Sequence, residues 1–137
     1  MRSEDKGVKF IQPDNLAQSP NYTHVVEISS GKLVYIAGQV AQDSNGNLVG
    51  KGDICAQAEQ VFKNIETCLV AVGATWNDVV KLSWYLTDLA NLEGVRDARR
   101  RVVKRDEPPP ASTLVQVARL FREEFLIEVE AIAVVAA

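Results

Sequence analysis

Two glutamates, Glu128 and Glu130, alternate with apolar residues in Ile127-Glu128-Val129-Glu130-Ala131-Ile132-Ala133-Val134. A two-residue period puts both on one side of an extended strand, about 6.6 Å apart at roughly 3.3 Å per residue. Carboxylates at that separation can divide acid and base roles, as in a glycosidase, although nothing else in the chain suggests a sugar site. A carboxylate embedded in an apolar strand is unfavourable unless paired, so at least one of the two has a specific partner or a function.

The other reactive side chains offer less. His24 is the one histidine; it opens a strand after a loop, no Gly-x-Ser-x-Gly elbow is present, and a strand-surface role outweighs a triad. Cys55 and Cys68 fall in one helix, about 20 Å apart at 1.5 Å per residue, beyond the roughly 7 Å disulfide limit. They read as buried thiols, and one His with two distant Cys assembles no zinc spacing. Gly46-Asn47-Leu48-Val49-Gly50-Lys51-Gly52 is only superficially like a phosphate loop, since Lys51 precedes Gly and the segment follows a turn signal. Arg96, Arg99, Arg100, Arg101, Lys104 and Arg105 form the densest charge run. A solvated helix face with cations toward its C-terminal end is favoured over an RNA-binding patch, because no aromatics are interleaved.

The elements that carry these residues follow from periodicity. Val8–Ile11 reads as an edge strand closed by Gln12-Pro13-Asp14-Asn15, and Thr23–Ile28 with Leu33–Val40 reads as a hairpin across Ser29-Ser30-Gly31-Lys32. Ser44-Asn45-Gly46-Asn47 marks a further tight turn. Ile54, Ala58, Val61, Ile65, Leu69 and Val72 recur at three and four, predicting a helix capped by Asp53 and closed by Gly73. Val79–Leu86 alternates as a strand, and Leu92, Val95, Ala98 and Val102 space as a second helix with Asp88 or Asn91 as cap and Pro108-Pro109-Pro110 as stop. Ser112–Leu120 and Leu126–Val135 complete the pattern, joined by Phe121-Arg122-Glu123-Glu124. The result is an α/β sheet with two helices on one face. Strands apolar on both sides require the uncovered face to be buried as well, most simply by further copies of the chain.

With 137 residues, 47% hydrophobic and 24% charged, the chain has the size of a single domain, 1–137. A net charge of −3 gives no overall attraction to phosphate backbones or anionic lipid, so nucleic acid is disfavoured. The charged start, Met1 to Lys6, does not read as a secretory signal, and no stretch approaches the about 20 apolar residues of a membrane span. A soluble, cytoplasmic protein is expected.

Together, Gly31-Lys32-Leu33-Val34-Tyr35-Ile36-Ala37-Gly38-Gln39, Gln57-x-x-Gln60-x-x-x-Asn64, Ala71-x-Gly73-Ala74, Asp78-Val79-Val80-Lys81 through Thr87-Asp88, Val115-Gln116-Val117-Ala118 and Ile127–Val134 resemble the Rid family. These are the reactive intermediate deaminases of YjgF type, and the likeness runs from residue 20 onward. It implies a chorismate-mutase-like fold, a homotrimer with small-molecule clefts between subunits, and hydrolysis of enamines and imines released by pyridoxal-phosphate enzymes. Neither metal nor cofactor is implied.

Carried over residue by residue, the resemblance assigns Glu128 as the acidic residue that orients water or relays a proton, and Gly38 as a ligand-binding position. Tyr22 lies near the family's cleft tyrosine. Active members have Pro-Ala-Arg-Ser where this chain has Pro110-Ala111-Ser112-Thr113, so Ser112 stands in place of the arginine that grips the substrate carboxylate. Leu114 replaces a small polar or thiol residue, Ala37 a serine, and Arg96 and Arg99 an asparagine and a tyrosine. Three readings follow in order: an imine or enamine hydrolase acting on something other than 2-aminoacrylate, a non-catalytic metabolite-binding trimer, and an endoribonuclease-type protein acting on RNA.

Overall fold

The computed structural model describes residues 7–137; the segment 1–6, expected above not to be a secretory signal, lies outside the described residues. The elements run β1 (Val8–Ile11), β2 (Val25–Ile28), β3 (Lys32–Gln39), α1 (Ile54–Ala71), β4 (Val79–Leu86), α2 (Leu92–Val102), β5 (Ala111–Gln116) and β6 (Ile127–Val135). Short 3-10 turns at Trp76–Asp78 and Leu89–Asn91 lead into β4 and α2. Four strands form one sheet in the order β3-β6-β4-β5, antiparallel except for the β4–β5 pair. That parallel pair is what a helical crossover through α2 produces.

The Asp53 carboxylate caps α1 by accepting from the Ala56 N–H at 3.1 Å. The three-and-four spacing then buries Ala58, Val61, Phe62, Ile65 and Leu69. At the other end Gly73 takes φ +72°, its N–H bonds the Val70 carbonyl at 3.0 Å and the Ala74 N–H bonds that of Leu69 at 2.8 Å. This satisfies the last carbonyls of the helix. Asp88 caps the 3-10 turn before α2 by accepting from the Ala90 N–H, whereas Asn91 makes no side-chain cap bond. Both helices pack into one core with Ile36, Leu82, Trp84, Leu86, Ile127, Val129, Ala131 and Ala133 of the sheet. They approach closely at Gly94, where a Cβ would lie 2.6 Å from Ile54 Cγ2.

Two local expectations are corrected. The runs flanking Ser29-Ser30-Gly31-Lys32 do not form a hairpin: β2 pairs with β1, from Val8 opposite Ile28 to Ile11 opposite Val25, and β3 pairs with β6. The linker is a corner between sheets, with Gly31 at φ +116° and a hypothetical Cβ 2.6 Å from Val134 Cγ1. Nor does the strand from Ser112 reach Leu120. Its partner β4 ends at Leu86, and after a last bond from the Val117 N–H to the Leu86 carbonyl at 2.8 Å nothing remains to pair with.

The β1–β2 ladder covers part of the sheet's second face, packing Val8 against Val80 and Val134. The rest of that face is open, and Tyr35 is 73% exposed and Leu33 54%. Among the described residues no helix is long and apolar enough to cross a membrane. The Gly46 turn closes as expected, with Asp43 Oδ1 accepting from the N–H groups of Asn45 and Asn47, both at 2.9 Å.

The polar residues of α1 are clamps. Gln57 is fully buried; its Nε2 donates to the carbonyls of Gly50 (3.1 Å) and Glu124 (2.9 Å), and its Oε1 accepts from the Leu126 N–H at 2.8 Å. Asn64 donates to the carbonyls of Val40 and Gln42, and Gln60 donates to Asn64. One neutral amide thus ties the loop before α1 to the loop before β6. Gln57→Leu keeps the volume but orphans three backbone groups, so stability should fall by about 2–4 kcal/mol. Urea unfolding at fixed protein concentration measures it; an unchanged midpoint would show that water replaces the amide.

Candidate functional site

A cavity of about 580 Å³ opens between α2, the start of β5 and the loop 20–22. The β5 register, Ser112 opposite Leu82 and Leu114 opposite Trp84, turns Ser112 and Leu114 toward the helix-covered face. There both line the cavity with Tyr22. Ser112 Oγ accepts a hydrogen bond from Trp84 Nε1 at 2.9 Å. The loop carrying Tyr22 is tied down by Thr23, which is buried and whose N–H and Oγ1 donate to the carbonyls of Pro110 (3.2 Å) and Pro109 (2.5 Å). His24 supports the same loop: its Nε2 bonds the Ala17 carbonyl and its ring meets Tyr22 edge-on at 5.1 Å.

The basic run does not form one solvated face. Arg100 pairs with Asp97, Arg101 with Glu59 of α1, and Arg96 with Glu93 at 3.0 Å. Arg105 donates to the carbonyls of Val79 (2.9 Å), Trp76 and Pro108, and lies over the Phe10 ring. Burial, opposed by Glu107 and assisted by Arg99, lowers its pKa to about 10. Arg99 instead faces the cavity, its guanidinium carbon 5.6 Å from the centroid of the Trp84 indole. Burial and the charge of Arg96 push it below the usual arginine range.

Glu128 and Gly38 lie together elsewhere. Glu128 is opposite Tyr85 on β4, one residue out of phase with Trp84, and therefore points to the face away from the helices. A Cβ on Gly38 would lie 1.9 Å from Glu128 Oε2, so only glycine leaves the carboxylate its place. Glu130, on the same side, accepts from Tyr85 Oη at 3.0 Å, and this raises the tyrosine pKa. Glu128 has no hydrogen-bond partner among the described residues, and burial, followed by the Glu130 charge, raises its pKa. Of the two strand carboxylates, Glu130 is the paired one and Glu128 the available one.

One chain therefore brings Tyr22, Ser112 and Leu114 together on one face and Gly38 with Glu128 on the other. Sequence reasoning missed the joining role of Trp84 and the inward turn of Arg99. The second was signalled: Arg99 stands four residues after Val95 and three before Val102, on the apolar stripe of α2 and not opposite it.

A family model described as Endoribonuclease L-PSP matches residues 13–135. A RutC family protein of Pyrococcus horikoshii is 38% identical over 106 residues, covering 77% of this chain and 82% of the relative. A mouse 2-iminobutanoate/2-iminopropanoate deaminase is 32% identical over 113 residues, covering 82% of this chain and 80% of its own. Among solved structures, a Rid family protein of unknown function from Yersinia pestis superposes with a TM-score of 0.83 at 36% identity, covering 94% of this chain and 99% of that one. A two-helix, four-stranded sheet shared over nearly the full length, together with the family match, places this chain in the Rid (YjgF/RutC) family.

Proposed function

We propose that the protein is a cytoplasmic homotrimer that hydrolyses an imine or enamine other than 2-aminoacrylate in clefts between subunits, with Glu128 as the proton-transfer group. The observation that carries this is the Glu128 carboxylate: half-buried, without a hydrogen-bond partner among the described residues, and held against a glycine that leaves no spare volume. A carboxylate whose pKa is raised holds a proton more readily than a free glutamate, and can accept one from water and return it. In the reaction water adds across C=N, Glu128 takes the proton from the attacking oxygen and delivers it to nitrogen, and the carbinolamine collapses to a carbonyl and ammonia. An enamine enters the same route after protonation at its β-carbon. The mouse relative, named for 2-imino acid deamination, supports the reaction class.

The division of site residues between two faces supports assembly. The open face around Tyr35 and Leu33 adjoins Glu128 along β3 and β6, where Tyr35 pairs with Ile132. A neighbouring subunit seated there would bring its own Tyr22, Ser112 and Leu114 toward Glu128 and bury the apolar residues left in water. The same cleft could bind a metabolite without turnover, and the carboxylate substitution separates the two readings. The RNA reading has less support, because most of the arginines it needs are engaged by acids or carbonyls.

Light scattering should give a mass of about 45 kDa, three chains of 15.0 kDa; a monomer at micromolar concentration would remove the shared cleft. Hydrolysis of 2-aminoacrylate, generated in place by a pyridoxal-phosphate lyase, should be at least about a hundredfold slower than in relatives with an arginine at the Ser112 position. Glu128→Gln should abolish hydrolysis of any accepted imine while the trimer stays folded, and Gly38→Ala, which displaces the carboxylate, should do the same. Because burial raises the Glu128 pKa, the ionised form is disfavoured in the folded chain. Glu128→Gln should therefore melt no lower than the parent at neutral pH. Any advantage should vanish as pH falls below the ordinary glutamate pKa of about 4.3, where the parent side chain is protonated in both states. Retained turnover would overturn the assignment. Ligand binding without turnover in the parent would favour the non-catalytic reading.

A further inference from the structure

Of the arginines lining the cavity, three are already engaged: Arg96 by Glu93, Arg100 by Asp97, and Arg105 by three backbone carbonyls. Arg99 has no acidic partner and no hydrogen-bond acceptor among the described residues; its one contact of note is the face of Trp84. An indole face compensates a desolvated guanidinium only in part, leaving its in-plane N–H donors unused. Those donors belong to a cavity whose remaining walls include Leu92, Val95, Val103 and Leu114. A site that combines a half-buried cation, unfilled donors and apolar walls fits an anion with an apolar body. In the single chain the cavity, about 580 Å³ and open on one side, has room for an apolar body beyond a three-carbon enamine.

We infer that Arg99 is the anchor for the substrate of this cleft, and that the substrate class is an organic carboxylate with an apolar body larger than three carbons. The planar guanidinium takes the carboxylate bidentately, in the fork geometry that a lysine cannot offer. Arg96, one turn earlier, lines the same cavity and is paired with the exposed Glu93. The positions fit together through one ring: Trp84 carries Arg99 on its face and binds Ser112 through Nε1, so the cation occupies the same corner of the cleft as β5. A bound carboxylate would also relieve the repulsion that Arg99 shares with Arg96 and Arg105. Placing this carboxylate as the substrate's own rests on the imine hydrolysis proposed above; the binding site itself does not.

The test is titration of the purified full chain with benzoate, benzamide, acetate and inorganic phosphate, followed by calorimetry and by the Trp84 indole N–H signal. Benzoate should bind and shift that signal, and benzamide, the neutral isostere, should bind at least about tenfold more weakly. Acetate and phosphate, lacking the apolar body, should also fall well short of benzoate. Arg99→Met, which keeps the stem over the indole and removes the charge, should weaken benzoate at least about tenfold, with Arg99→Lys between the two. Since it removes a desolvated charge, Arg99→Met should melt no lower than the parent. Arg101→Met, whose charge is spent on Glu59 outside the cavity, should bind benzoate as the parent does. Equal binding of benzoate by parent and Arg99→Met would overturn the anchor, and phosphate matching benzoate would overturn the apolar body. Arg99-dependent benzoate binding with no hydrolysis of any imine would leave the anchor standing and sink the reaction. Hydrolysis with Arg99-independent benzoate binding would do the reverse.

Discussion

The Trp84 indole is where the core and the cleft are joined. It is 4% exposed, and its edge-to-face packing on Phe62, at 5.8 Å between centroids, belongs to the interior shared by α1 and the sheet. Its other contacts belong to the site: Nε1 binds Ser112 on β5 and one face carries Arg99 from α2. The ring therefore fixes the separation between helix and edge strand through a hydrogen bond and a cation contact together. This wall of the cavity cannot shift without disturbing the core. A tryptophan suits this position because it offers a large apolar body and one directional donor in the same side chain.

The chemistry is separated by the sheet itself. Alternation along β6 sends Val129 and Ala131 into the core and Glu128 and Glu130 outward, so the Glu128 carboxylate does not share a face with the residues of β5 that point toward the helices. Within one chain, Glu128 and the cavity-lining residues of β5 therefore lie on opposite faces of the sheet. The Glu128 carboxylate also illustrates how local volume replaces a hydrogen bond: Gly38 gives it a place without giving it a partner, which leaves its proton affinity to be set by burial and by Glu130.

Most of the fold was legible because the periods are clean. The α1 stripe, its Asp53 cap and its Gly73 exit, the alternation of Val79–Leu86 and the order of all eight elements could be read from spacing alone. What could not be read was pairing. Thr23–Ile28 and Leu33–Val40 carry every local sign of a hairpin, yet the ladder of β3 is claimed by β6, almost a hundred residues later, and local turn chemistry has no information about that competition. The overlong β5 has the same origin, since a strand ends where its neighbour ends. In the site, the alternation of the last strand singled out Glu128 with Glu130, while the role of Glu128 and the positions Gly38, Ser112, Leu114 and Tyr22 came from family likeness. The division between faces was implicit in the two-residue period but needed the register to become visible. Arg99 was obscured by its neighbours: a run of six cations reads as surface until one notices that this member lies on the apolar stripe.

The tether between Thr23 and the Pro109 and Pro110 carbonyls has a kinetic meaning. It bonds the loop that carries Tyr22 to the segment that leads into Ser112, so two walls of the cavity form one stiff unit, braced further by prolines that restrict their own backbone. A lid made from either of these two loops, opening over microseconds to milliseconds, would have to break that tether. Arg96, which also lines the cavity, is held by the exposed Glu93, and rotamer changes in such a surface pair take roughly picoseconds to nanoseconds. On this side of the cavity, access should depend on ionic strength through that exposed pair more than on rearrangement of the two tethered loops.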